Sequence, residues 1–195
     1  MENPETAEEV TDMRIVGGEF RGRTLLSPKS EATRPTSDRT RESLFNILVH
    51  RLDFDGLRVL DLFAGTGALG IEALSRGADN CVFIENASSP YGVIRDNLEK
   101  FNLHGRTKLL KMDATNLGKN RGEGFDLIFL DPPYGKSLGE KAVASLVENN
   151  WLNEGATLIL EEVASSAPVK LDSFTLEDQR KFGDTVIGIF KYISA

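Results

Sequence analysis

From residue 57 onward, short apolar runs alternate with amphipathic stretches, the pattern that a parallel sheet wrapped by helices imposes on a chain. The runs cover 57–63, 80–85, 107–112, 125–131 and 156–161, and the stretches with helical spacing cover 68–76, 88–102 and 138–149. Beyond Pro168, two alternating segments at 173–182 and 185–192 are joined by Gly183-Asp184, a hairpin signal. The pattern predicts an α/β fold with a seven-stranded, mostly parallel sheet that finishes in an antiparallel pair.

The first quarter of the chain follows another rhythm. Residues 14–20 and 22–26 read as two short strands about a glycine turn, closed by Ser27-Pro28. After Arg34-Pro35, Ser37 or Asp38 can cap a helix whose apolar positions Leu44, Ile47 and Leu48 share a face and which ends near His50. Residues 1–12 are acidic and poor in apolar side chains, so a disordered tail is expected there. The expected organisation is a tail at 1–12, a small hairpin and helix at 13–51, and a main domain at 52–195.

Composition sharpens this reading. At 195 residues with 40% hydrophobic content, the chain can bury the core of one full-sized domain. Its formal charge of -7 looks wrong for a protein that approaches phosphates, but the basic residues Arg14, Arg21, Arg23, Lys29, Arg34, Arg39, Arg41 and Arg51 gather in one segment. Cys81 is the only cysteine, and His50 and His104 are the only histidines, so neither an intrachain disulfide nor a structural metal site is expected. No apolar run approaches the roughly 18 residues needed to span a bilayer, and the acidic N-terminus lacks the features of a secretory signal. A soluble, cytoplasmic protein without membrane contact is the expectation.

Three stretches carry candidate chemistry. The segment Asp61-Leu62-Phe63-Ala64-Gly65-Thr66-Gly67-Ala68-Leu69-Gly70 leaves a strand and opens a helix. Its glycine spacing also matches a nicotinamide oxidoreductase. Asp61 discriminates, because a carboxylate beside a pyrophosphate is repelled by about 4 kcal/mol for unit charges 4 Å apart at an effective dielectric near 20. S-adenosyl-L-methionine reverses that sign, since its sulfonium and ammonium attract Asp61 while the helix start near Gly67 can receive its carboxylate. The alternative is that Asp61 only caps the glycine turn. Glu85 ends the next strand and can accept both ribose hydroxyls, and Asp113 follows the third strand, placed to accept from an adenine amine.

Asp131-Pro132-Pro133-Tyr134 ends the fourth strand. An aromatic amine is a poor nucleophile because its lone pair is delocalised into the ring, so an enzyme must orient it toward the methyl donor. The Asp131 carboxylate and the Pro132 carbonyl can accept both amine hydrogens, and two successive prolines hold that carbonyl in place. Tyr134 offers a face for an extruded base, worth about 1 to 3 kcal/mol.

The chain resembles the RsmD family of bacterial methyltransferases, which act on the N2 amine of a guanine in 16S ribosomal RNA. The matching stretches are Arg14-Ile15-Val16-Gly17-Gly18 with Arg21-Gly22-Arg23, then Arg34-Pro35-Thr36, Asp38-Arg39, Arg41-Glu42 and Leu44-Phe45-Asn46, continuing through 61–75 to the Asp131 motif. The resemblance implies a Rossmann-like class I methyltransferase fold using S-adenosyl-L-methionine, with S-adenosyl-L-homocysteine as product and no metal. It implies cofactor contacts at Asp61, Phe63, Ala64, Gly65, Gly67, Glu85, Asn86, Asp113 and Ala114, and base contacts at Asp131 to Tyr134. It implies 16S rRNA contacts at Arg14, Arg21, Arg23, Arg34, Arg39 and Arg41, in the small ribosomal subunit or its assembly intermediate, by a monomer. Asn86-Ala87 stand where members often carry an acid two positions past Glu85, and Tyr134 where many have Phe, which preserves stacking. The rivals are a DNA adenine-N6 methyltransferase, a nicotinamide oxidoreductase and a non-catalytic ribosome-assembly module.

Overall fold

The computed structural model describes residues 13–27, 37–133, 137–165 and 170–194. The expected tail at 1–12, Arg34 and Tyr134 lie outside the described residues.

The main body is a sheet of seven strands in the order β3-β2-β1-β4-β5-β7-β6. β1 (Arg58–Leu62), β2 (Asn80–Ile84), β3 (Thr107–Leu110), β4 (Phe125–Leu130) and β5 (Leu152–Val163) run parallel, and β6 (Phe174–Phe182) and β7 (Thr185–Tyr192) add the antiparallel pair. The first crossover starts at β1, with β2 and β3 laid to one side and β4 to the other. That reversal opens a crevice at the carboxyl ends of the strands, where open α/β sheets bind ligands.

Each central strand buries both faces, as the continuous apolar runs require. On one face Val59, Phe83, Leu127, Phe129 and Ile159 meet α1 (Asp38–Leu48), α2 (Ala68–Ser75) and α3 (Ser88–Lys100) through Phe45, Ile71, Leu74 and Ile94. On the other, Leu60, Leu62, Ile128, Leu130 and Leu158 pack with Ala142 and Leu146 of α4 (Leu138–Glu148). α1 begins where its cap predicts, with Ser37 accepting from the Thr40 amide. β5 starts earlier than its apolar run, at Leu152, because the register with β4 slips between Phe125 and Leu127 around Gly155, whose φ is +72°.

The N-terminal segment forms the expected hairpin, a short one: Arg14 and Thr24 make its single antiparallel bridge, flanked by hydrogen bonds from the Ile15 amide to the Arg23 carbonyl at 3.0 Å and from the Leu25 amide to the Met13 carbonyl at 2.7 Å. Further backbone donors turn to α2: the Val16 amide reaches Glu72 Oε2 at 2.9 Å, the Glu19 amide the Ser75 carbonyl at 2.7 Å, and the Phe20 amide Ser75 Oγ at 2.9 Å. Gly18, at φ +74°, allows this approach, since a Cβ there would overlap the Ser75 backbone. Ile15 and Phe20 are buried in the process, a gain of roughly 1.5–3 kcal/mol for each side chain. The hairpin is thus docked as a strap across α2.

Candidate active site

Asp61 sits in β1, in register with Phe83 of β2 and Phe129 of β4, which in turn pairs with Ile159 of β5. These four residues form a row on the α2 face. Side chains alternate along a strand, so the next residues on this face are Glu85, Asp131 and Glu161, each two positions past a member of the row. Glu161 confirms the face by pairing with Ile187, which belongs to the same core. An apolar layer is therefore capped, at the crevice, by a row of carboxylates.

The glycine turn joins β1 to α2. Phe63, Gly65 and Gly67 have φ of +56°, +57° and +76°. Gly67 takes the N-cap position of α2 without a side-chain cap, and a Cβ there would sit 3.3 Å from the Phe83 ring. At Gly70 a Cβ would overlap Phe83 and lie 2.7 Å from Cys81 Sγ, so the helix lies directly on β2. Asp61 Oδ2 accepts from the Gly70 amide at 2.9 Å. The carboxyl is only 2% exposed, and desolvation, with a smaller push from Glu85, moves its pKa up to about 8. Asp61 thus anchors the helix start from beneath the glycine turn.

Glu85 is half-buried at the end of β2, holding the Gly65 amide on Oε2 at 3.1 Å and the Ala87 amide on Oε1 at 2.8 Å. Asn86 beside it is exposed. Asp113 is exposed and closes a turn by accepting from the Thr115 amide and hydroxyl at 2.8 and 2.7 Å, which holds its carboxyl below the usual range. Ala64 and Ala114 are buried. Asp131 follows β4, half-buried, with Pro132 buried and Pro133 exposed. Desolvation, then Glu161 and Asp61, push the Asp131 carboxyl well above the ordinary value. Among the described residues no group of His, Cys, Asp and Glu is arranged to hold a metal.

The family model described as Conserved hypothetical protein 95 matches residues 13–191. The Ribosomal RNA small subunit methyltransferase D of Escherichia coli is 33% identical over 180 residues, 92% of this chain and 89% of that one. The chain belongs to the RsmD family. YlbH of Bacillus subtilis is a further relative, 35% identical over 184 residues that span 92% of this chain and 98% of that one. The solved structure of yhhF from Escherichia coli superposes with a TM-score of 0.83 at 31% identity, covering 94% of this chain and 99% of that one. This RsmD-family protein is accordingly a methyltransferase with the Rossmann-like class I fold, and the nicotinamide and non-catalytic readings fall.

The basic residues of the RsmD-family segment divide into two groups. Arg14, Arg21 and Arg39 are exposed, although Arg14 also faces Asp38 at 3.8 Å. Arg41, expected to reach phosphate, is corrected: it is 1% exposed, and its guanidinium donates to the Arg14 carbonyl and to Asp38, both at 2.6 Å. Arg23 is exposed like the first group, while its guanidinium donates to the Lys100 carbonyl at 2.7 Å and lies 4.3 Å over the Phe101 ring. The helical pattern could not show this, because burial of Arg41 depends on the strap crossing α1.

Three residues escaped the sequence reading. Glu161 was visible as an acid closing the run 156–161, by the rule that singled out Glu85. Glu72 looked like an ordinary helix acid. Asn97 of α3, fully buried, exchanges hydrogen bonds with both backbone groups of Leu26 at 2.8 and 3.1 Å and donates to the Thr66 carbonyl at 2.9 Å. It ties the strap to the glycine turn.

Proposed function

We propose that this protein transfers a methyl group from S-adenosyl-L-methionine to the N2 amine of a guanine in 16S ribosomal RNA, in the cytoplasm, on the small subunit or its assembly intermediate. The observation that carries this reading is the row of carboxylates at the crevice: Asp61, Glu85 and Asp131 converge where a cation offsets their repulsion and a pyrophosphate adds to it.

The residues fit such a cofactor. Glu85 has each oxygen fixed by one amide, leaving lone pairs oriented for ribose hydroxyls. The first turn of α2, with no side-chain cap, suits the carboxylate of an amino-acid moiety. Asp113 is exposed toward an adenine amine, and Ala64 and Ala114 supply apolar contact. When bound, the cofactor supplies a methyl group made electrophilic by its sulfonium.

The chain's own residues prepare the acceptor. Asp131 and the Pro132 carbonyl accept the two amine hydrogens, which turns the nitrogen lone pair toward the donor. Methylation leaves the nitrogen cationic, and it must shed a proton. A carboxylate held above the ordinary range is a stronger base than one in water, so Asp131 can take that proton. Tyr134 stacks the extruded base, and the exposed Arg14, Arg21 and Arg39, with Arg34, meet the RNA backbone.

The test is to incubate the protein with labelled S-adenosyl-L-methionine and small subunits lacking the modification, with duplex DNA in parallel, and to map the labelled nucleotide. Label on a guanine N2 of the 16S strand is expected; label on DNA adenine alone overturns the reading.

A further inference from the structure

The hairpin meets the main domain at both of its ends. At its turn, the Glu19 and Phe20 amides find Ser75, the last residue of α2. At its open end, both arms converge on Thr66 in the glycine turn that precedes α2. Met13 of the first arm accepts from the Thr66 hydroxyl on its sulfur at 3.6 Å. Leu26 of the second arm reaches the Thr66 carbonyl through the side chain of Asn97, which comes from α3.

The Asn97 side chain is a primary amide, and its capacity is divided between the two segments: Oδ1 accepts from the Leu26 amide, while Nδ2 donates to the Leu26 and Thr66 carbonyls. Toward Leu26 it pairs with N–H and carbonyl together, as a neighbouring strand does. Its remaining N–H goes to Thr66. Asn97 is fully buried, and an apolar side chain fills such a place on a helix without desolvating any polar group, so packing alone does not call for an amide.

The peptide between Thr66 and Gly67 is held at both ends, its carbonyl by Asn97 and its N–H by the Ala64 carbonyl at 2.6 Å. Glycine takes either sign of φ at little cost, so Gly67, at +76°, does not fix this peptide by itself. α2 starts at the next residue, and its first amides have no side-chain cap. The orientation of the Thr66–Gly67 peptide therefore sets where those amides point. The Gly65 amide is held by Glu85 from within the main domain. The Thr66 carbonyl is held instead by a side chain that the hairpin steadies.

We propose that Asn97 is a positioning residue for the methyl donor: steadied by Leu26 of the hairpin, it keeps the Thr66–Gly67 peptide in the orientation that receives S-adenosyl-L-methionine at the start of α2. The hairpin then serves the cofactor site without placing a side chain on the cofactor. This inference rests on reading the crevice as a site for that cofactor.

Calorimetry with S-adenosylhomocysteine, run well below each variant's unfolding transition, tests this. Asn97→Leu removes the amide and is expected to weaken binding about tenfold or more. Asn97→Asp keeps the acceptor for the Leu26 amide, loses the donor to Thr66, and should weaken binding as much. In turnover the loss appears as a raised KM for S-adenosyl-L-methionine, with kcat within about twofold of wild type, because the residue acts on binding rather than on transfer. Ser75→Ala is the control: it loosens the hairpin at its far end, so it should lower Tm and keep the wild-type Kd. Should neither Asn97 variant fold, hydrogen exchange of the wild type gives the second readout. S-adenosylhomocysteine is expected to slow exchange of the Leu26 amide and leave that of the Phe20 amide unchanged. Wild-type affinity in the Asn97 variants, an equal loss in Ser75→Ala, or a Leu26 amide indifferent to the ligand overturns the role of Asn97 and leaves the cofactor reading standing. A wild-type protein that binds neither S-adenosylhomocysteine nor S-adenosyl-L-methionine brings down both.

Discussion

At the seam between the strap and α2, Glu72 is fully buried and each of its oxygens is met: Oε2 accepts from the Val16 amide, and Oε1 from Arg76, with both contacts at 2.9 Å and Arg41 adding its charge nearby. At the carboxyl ends of the strands, half-buried Asp131 lies between buried Asp61 and Glu161, and among the described residues the charged groups that bear on Asp61 and Asp131 are all carboxylates. The first region spends its acid on holding the chain together. The second sets acid beside acid, an arrangement that a cationic ligand would favour. Burial of an acid therefore says little by itself; the charge of what it is buried against separates scaffold from site.

Substitutions that exchange the two behaviours test this contrast. The largest effect is expected at the seam. Glu72→Leu strands the Arg76 guanidinium and the Val16 amide, and should cost about 3–5 kcal/mol in urea unfolding while cofactor affinity, measured below the transition, is kept. An unfolding curve matching the wild type would show that the pairing carries no stability.

Asp131→Ala comes next. It should lower kcat on the order of 10² to 10³-fold, with binding of S-adenosylhomocysteine nearly intact in calorimetry, because it removes an orienting group rather than a cofactor contact. Normal turnover in this variant ends the assignment.

Asp61→Asn keeps an acceptor for the Gly70 amide but cannot ionise. A folded-state pKa raised to about 8 means that the folded protein holds a proton the unfolded chain has lost, so the stability from Asp61 is full in acid and declines as pH rises through that value. The Asn variant should be more stable than wild type by about 1–3 kcal/mol near pH 9 and by less near pH 6. The wild-type affinity for the sulfonium cofactor should rise over the same interval and that of the variant should stay flat. Parallel pH profiles for the two proteins would rule out a charge role for Asp61.

The smallest effects belong to the exposed arginines. Arg21→Ala and Arg39→Ala should each reduce the slope of log K for RNA against log salt by about one. Arg41→Ala should lower stability instead. A change of salt slope at Arg41 would reverse the division between these arginines.

The sequence made the body of the fold legible because each element carries its own period: the five apolar runs, the three helical stretches and the Gly183-Asp184 hairpin all appear within a few residues of their expected limits. The glycine turn, Asp61 near the end of β1 and the acids after β2 and β4 were legible for the same reason, since strand ends can be read locally. What stayed hidden depends on contacts between distant segments. The hairpin docks on α2 because the Val16 and Phe20 amides find Glu72 and Ser75 more than fifty residues away, and Asp61 is enclosed by a helix that lies close only because Gly70 lacks a Cβ.

Asn97 has a consequence of its own. One side chain grips Leu26 of the strap and Thr66 of the glycine turn. Ordering either partner restrains the other, so a ligand that orders the strap and a ligand that orders the turn would raise each other's affinity by one and the same factor.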